Sequence, residues 1–82
     1  MPRVEAYLYA MLRRYQPSLP HGQPAILELP DGCTVNELLI AVGVPDEEIK
    51  QTFVNGISRN LDWVLGDGDR VAVFPPIAGG EY

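Results

Sequence analysis

The chain has 82 residues, 46% of them hydrophobic, and a net charge of −5. That length allows one domain with a single core, burying about 60–65% of its unfolded surface, and no apolar run approaches the roughly 20 residues that span a bilayer. The acidic balance disfavours nucleic acid, whose phosphates need clustered Lys and Arg, and Arg13-Arg14 is the only adjacent basic pair. A basic patch on a protein partner suits such a chain better, with charge aiding encounter more than affinity. The opening residues Met1 to Glu5 lack the apolar h-region of a secretory signal, so a cytoplasmic location with no membrane contact is expected. Cys33 is the single cysteine and His21 the single histidine. An internal disulfide is thereby excluded and a structural zinc site is not expected.

Arg3 to Tyr9 alternates, with Val4, Ala6, Leu8 and Ala10 on one face and Arg3, Glu5, Tyr7 and Tyr9 on the other. This is the period of a half-buried strand. Met11 to Tyr15 has no strong pattern, and Pro17 to Pro24 holds three prolines; together they predict an irregular connection opened by one helical turn. Ala25 to Leu29 is a second strand, returning antiparallel to the first. After the turn Pro30 to Cys33, Thr34-Val35-Asn36-Glu37 matches a capping box. Val35, Leu38, Leu39 and Val42 then form one apolar stripe, and Gly43 fits a left-handed helix end. Pro45 opens a shorter helical turn, Asp46 to Ile49. Gln51 to Val54 is a third strand, Asn55-Gly56 a hairpin turn, and Ile57-Ser58 the start of the return. Leu61, Trp63, Val64 and Leu65 supply apolar mass in an irregular link. Gly66 to Asp69 is a turn into the last strand, Val71 to Phe74. The economical packing is α+β, a mixed sheet with one main helix across it and the first and last strands side by side at its centre.

Pro75 and Pro76 end that last strand, because neither ring nitrogen donates to a ladder. A core strand therefore runs into a tail, Ile77-Ala78-Gly79-Gly80-Glu81-Tyr82. Terminal segments fray unless tied down. A proline-stiffened stem before Gly-Gly also suits presentation of bare backbone to a narrow site on another protein, since glycine has no Cβ to obstruct approach. At roughly 3.3–3.6 Å per extended residue, the residues after Phe74 carry Gly80 about 20 Å from the core.

Several blocks resemble the MoaD/ThiS family of β-grasp sulfur carriers, the molybdopterin synthase small subunit and thiamine-pathway carriers related to ubiquitin. They are Tyr9 to Arg13, Leu29 to Gly32, Thr34-Val35 with Leu38-Leu39, Val54-Asn55-Gly56, Leu65 to Val71, and Phe74 to Gly80. Each is weak alone; in this order, ending on Phe-Pro-Pro-x-x-Gly-Gly, they are fairly specific. The resemblance implies a ubiquitin-like β-grasp domain over residues 1–76 and a mobile tail over 77–82. It implies a carrier rather than an enzyme, with no catalytic residues and no cofactor of its own. A ubiquitin-activating-type adenylating enzyme uses ATP to convert the Gly80 carboxylate to an acyl-adenylate. A sulfur donor replaces AMP to leave a thiocarboxylate, and a synthase subunit accepts the sulfur. Gly79, Ala78 and Ile77 present that end, while Phe74, Pro75 and Pro76 dock into the partner. Molybdopterin or tungstopterin synthesis, thiamine synthesis and related pathways all fit.

Glu81 and Tyr82 depart from the pattern, because with them in place the Gly80 carbonyl sits in a peptide bond. Either a processing protease removes them, or the chain is an interaction subunit that docks its uncleaved tail into a larger enzyme without carrying sulfur. Other residues invite plainer readings. Phe74 is either a docking residue or core. Cys33 precedes a helix N-terminus, which lowers a thiol pKa, but no base accompanies it and a structural thiol is expected. Asp67 and Asp69 lack the later ligands of a calcium loop and read as turn formers. Asp46, Glu47 and Glu48 read as a solvated helix start, and Met11 and Leu12 as core.

Overall fold

Alternation of apolar side chains in the first strand is met by a sheet with one face covered. The structure, a computed structural model, describes residues 1–15 and 23–76. Strand β1 (Arg3–Leu8) buries Val4, Ala6 and Leu8. Strands β2 (Ala25–Glu28), β3 (Gln51–Val54), β4 (Ile57–Ser58) and β5 (Arg70–Phe74) complete one sheet, in the order β2-β1-β5-β3-β4. Strand β5 runs parallel to β1, with Ala6 opposite Val71 and Leu8 opposite Val73. It runs antiparallel to β3 on its other side, and the β1–β2 and β3–β4 pairs are also antiparallel. The expected central pairing of first and last strands is present.

Helix α1 (Val35–Val42) covers the inward face. Its Val35, Leu38 and Leu39 are fully buried in one cluster with Val4, Ala6, Val71 and Val73. Both halves of the capping box form: Thr34 Oγ1 accepts from the Glu37 N–H at 3.2 Å, and Glu37 Oε1 accepts from the Thr34 N–H at 2.9 Å. The segment 61–65 satisfies the rest of that turn, because the Val35 and Asn36 N–H groups donate to the Trp63 and Leu61 carbonyls at 3.0 and 2.8 Å. Gly43 ends the helix at φ +92°, as its position predicts. Asn55 (φ +53°) and Gly56 (φ +83°) form the β3–β4 turn, both positive as a two-residue hairpin requires.

The helical turn expected after β1 is a 3₁₀ helix, Ala10–Tyr15, and Leu12 within it is fully buried, as its core reading requires. Two other local expectations change. Of the apolar link, Leu65 is buried and Leu61 half-buried, but Trp63 and Val64 are exposed. This backbone is spent on capping α1, so its side chains turn outward, and the Arg59 guanidinium lies 3.9 Å from the centre of the Trp63 ring. The acidic turn Asp46–Glu48 is 3₁₀, and Glu48 is not merely solvated. It accepts from the Tyr15 hydroxyl at 2.7 Å and from Arg14, tying this turn to the first 3₁₀ helix. His21 and most of the Pro17–Pro24 connection lie outside the described residues.

Thr34→Ala removes the side-chain acceptor at the helix start and lowers stability by about 1 kcal/mol, read as a lower urea midpoint at unchanged slope. The Tyr15 hydroxyl, then Arg14, holds the Glu48 carboxyl below its ordinary value. Its contribution is therefore present above the unfolded carboxylate pKa and lost as pH falls through the lower folded value. Glu48→Gln removes this part of the acid-side decline, measured by urea unfolding across that pH range.

Candidate functional site

The strand side chains opposite the core form a second surface. Outward from β1 come Glu5 and Tyr7, followed by Tyr9; outward from β5 come Arg70, Ala72 and Phe74; Phe53 joins from β3. Tyr9 and Phe74 stack with centroids 4.7 Å apart and planes within 6°. Phe53 meets Phe74 edge-on at 5.6 Å, and Tyr7 continues the stack beside Tyr9 at 6.5 Å. Exposed aromatic surface of this kind is enriched at protein interfaces. Phe74 is 37% exposed, so it is not a core residue. The physical reason is register: Val73 faces α1 and its neighbour must face out.

A small polar group borders the aromatics. The Tyr7 hydroxyl donates to Glu5 Oε1 at 2.9 Å, and Arg70 Nε lies 3.6 Å from the same oxygen. The Glu5 contact raises the Tyr7 hydroxyl above its ordinary pKa, with Arg70 acting weakly the other way. Below them the turn is held by its aspartates, as expected. Asp67 Oδ1 accepts from the Arg3 N–H at 2.9 Å, and Asp69 accepts from Gly66 N–H and Asn55 Nδ2 at 2.8 and 2.9 Å.

The exit of the chain adjoins this face. The Phe74 carbonyl accepts from the Lys50 N–H at 2.8 Å, and the Val73 carbonyl from the Tyr9 N–H at 3.2 Å. Pro75 then offers no donor, and Pro76 is exposed. Phe74, Pro75 and Pro76 thus stand together where the strand leaves the sheet. Ile77, Ala78, Gly79 and Gly80 lie outside the described residues, as do Glu81 and Tyr82.

The family model for the Mut7-C ubiquitin domain matches residues 1–79. The chain belongs to that family. Among solved structures, this Mut7-C ubiquitin domain is similar to a Pyrococcus furiosus protein described as molybdopterin converting factor subunit 1. They share 26% identity at a TM-score of 0.73, covering 94% of this chain and 100% of that one. Small archaeal modifier protein 1 of Haloferax volcanii is 22% identical at TM-score 0.74, with 94% and 100% covered. Its Methanosarcina acetivorans counterpart is 21% identical at 0.67, with 98% of each chain covered. The last two likenesses concern the fold alone. The domain is a MoaD/ThiS-like, ubiquitin-like β-grasp protein.

Among the described residues, no three His, Cys, Asp or Glu side chains gather where they could hold a metal ion, and no helix is long and apolar enough to cross a membrane. Cys33 is buried, and its thiol pKa is raised by burial and then by Glu37. The nearby helix N-terminus does not activate it, because the first-turn N–H groups are already taken by carbonyls and Thr34. Strand alternation alone puts Tyr7 and Tyr9 on the outer face of β1; only the strand pairing order unites them with Phe53, Ala72 and Arg70. The native domain should leave Cys33 unmodified by a maleimide on a timescale that fully labels the urea-unfolded chain. Equal labelling rates would contradict the structural reading of the thiol.

Proposed function

We propose that this domain is a sulfur carrier whose working end is the Gly80 carboxylate. The observation that carries the reading is the position of β5, hydrogen-bonded on both sides and running out beside an exposed aromatic face four residues before Gly79-Gly80 closes its presenting segment. Membership of a ubiquitin family and the 26% identity to a molybdopterin converting factor subunit support it. A protease first releases Glu81 and Tyr82. An adenylating enzyme of the ubiquitin-activating type then docks on Phe74, Pro75, Pro76 and the neighbouring aromatics. In the partner's site the Gly80 carboxylate attacks the α-phosphate of ATP and pyrophosphate leaves. Sulfur from a donor displaces AMP, and the resulting thiocarboxylate delivers its sulfur to a synthase subunit. Ile77, Ala78 and the two glycines carry this end into both partners, because glycine lets a narrow channel close on backbone. The domain itself supplies no catalytic residue and binds no cofactor; ATP belongs to the partner. Pterin cofactor assembly is the pathway favoured by the Pyrococcus furiosus relative, with thiamine and related syntheses using the same chemistry.

Glu81 and Tyr82 favour a second reading, an interaction subunit that inserts the uncleaved tail into a larger enzyme. Intact mass of the chain isolated from its host separates the two. The carrier loses both residues and then gains the mass of a sulfur-for-oxygen exchange at Gly80. Recovery of the untrimmed chain from the active complex contradicts it.

A further inference from the structure

Three aromatic rings meet where β5 ends. Tyr9 lies just past β1, and its backbone is fixed from two directions: its N–H donates to the Val73 carbonyl at 3.2 Å, and its carbonyl accepts from the Leu12 N–H at 3.1 Å. Its ring lies parallel to that of Phe74, 4.7 Å away, while Phe53 meets Phe74 edge-on. We propose that Tyr9 is a positioning residue: its ring holds Phe74, and with it the base of the Pro75-Pro76 stem, in the arrangement that a protein partner receives.

The backbone ladder alone does not hold this point, because it stops there. The Val73 carbonyl is bonded toward Tyr9 and the Phe74 carbonyl toward Lys50, and neither Pro75 nor Pro76 brings an N–H to continue. Strand ends with few buried contacts open locally at little cost, and the exposed Phe74 side chain has no core to hold it. Its support is aromatic. β1 and β3 flank β5, so Tyr9 and Phe53 grip Phe74 from opposite sides, Tyr9 with the face of its ring. Beyond Phe74 the chain is stiff. Each proline fixes its own φ, and Phe74 and Pro75 both precede a proline, which confines them to extended backbone. An error of direction at Phe74 is therefore carried along the stem rather than absorbed. Ordering Phe74 in the free domain removes a cost that binding otherwise has to overcome.

The partner's identity rests on the carrier reading, which lands an adenylating enzyme on Phe74, Pro75 and Pro76; the grip is a property of the isolated domain. Proton spectra of the full chain read the grip. Phe74 ring protons should carry a ring-current shift that Tyr9→Leu, which keeps apolar bulk without a flat face, abolishes and Tyr9→Phe restores. Calorimetric titration into the host's adenylating enzyme reads the consequence. Tyr9→Leu should weaken binding between about two- and tenfold, the worth of one aromatic pair, and Tyr9→Phe should match the natural chain. Because Tyr9 acts through Phe74, adding Tyr9→Leu to a Phe74→Leu chain should change affinity little further. Equal losses in both backgrounds would mean that Tyr9 touches the enzyme itself, and would overturn the proposal. So would Phe74 ring shifts that Tyr9→Leu leaves unmoved. A natural chain that the enzyme does not bind contradicts the carrier reading instead, and the ring shifts then decide whether Tyr9 holds Phe74.

Discussion

The parallel pairing of β1 with β5 is the constraint from which the rest follows. It joins residues about 65 apart in sequence, Glu5 to Arg70 and Leu8 to Val73, so its loop-closure entropy must be met by the contacts it creates. Those contacts divide by parity. One set of alternate residues, Ala6, Leu8, Val71 and Val73, closes the core under α1. The other set, Tyr7, Tyr9, Ala72 and Phe74, builds the aromatic face. A slip of one residue would exchange the two sets and expose the core side chains, so the register that stabilises the domain also fixes where its tail begins.

Sheet edges are kept inert while the centre is used. The Leu29 N–H donates to the Pro2 carbonyl at 2.9 Å, so odd positions of β2 face β1 and even positions face outward. Pro24 and Pro30 occupy the even positions at both ends, leaving only Ile26 and Glu28 to offer outward N–H groups. The opposite edge, β4, is two residues long. Proline, charge and shortness are the usual guards against edge-to-edge association. Backbone pairing at both edges of the sheet is thus discouraged.

Much of this was legible because the signals are local. The alternation in β1, the capping box at Thr34, the left-handed Gly43 and the Asn55-Gly56 turn each depend on residues within a few positions of one another. What the sequence withheld depends on distant partners. Trp63 and Val64 look like core until their backbone is seen capping α1, and Glu48 looks solvated until Arg14 and Tyr15 arrive from 34 and 33 residues away. Phe74 was ambiguous for the same reason: an apolar run does not say which of its members faces the core, and only pairing with β1 decides it. The resemblance to β-grasp carriers captured the topology from weak blocks in the right order, and matched the tail by its Phe-Pro-Pro-x-x-Gly-Gly ending. Ile77 to Gly80 remain outside the described residues, so their role stands on chemistry rather than geometry.

In the proposed carrier, a rigid central strand leads to an end group that a partner makes reactive. ATP–pyrophosphate exchange catalysed by the host's adenylating enzyme tests that reading most directly. The chain cut after Gly80 should support exchange, the same chain carrying Phe74→Ala should support much less, and the uncut chain none. Exchange that is equal with and without Glu81-Tyr82, or absent from the cut chain, would contradict it.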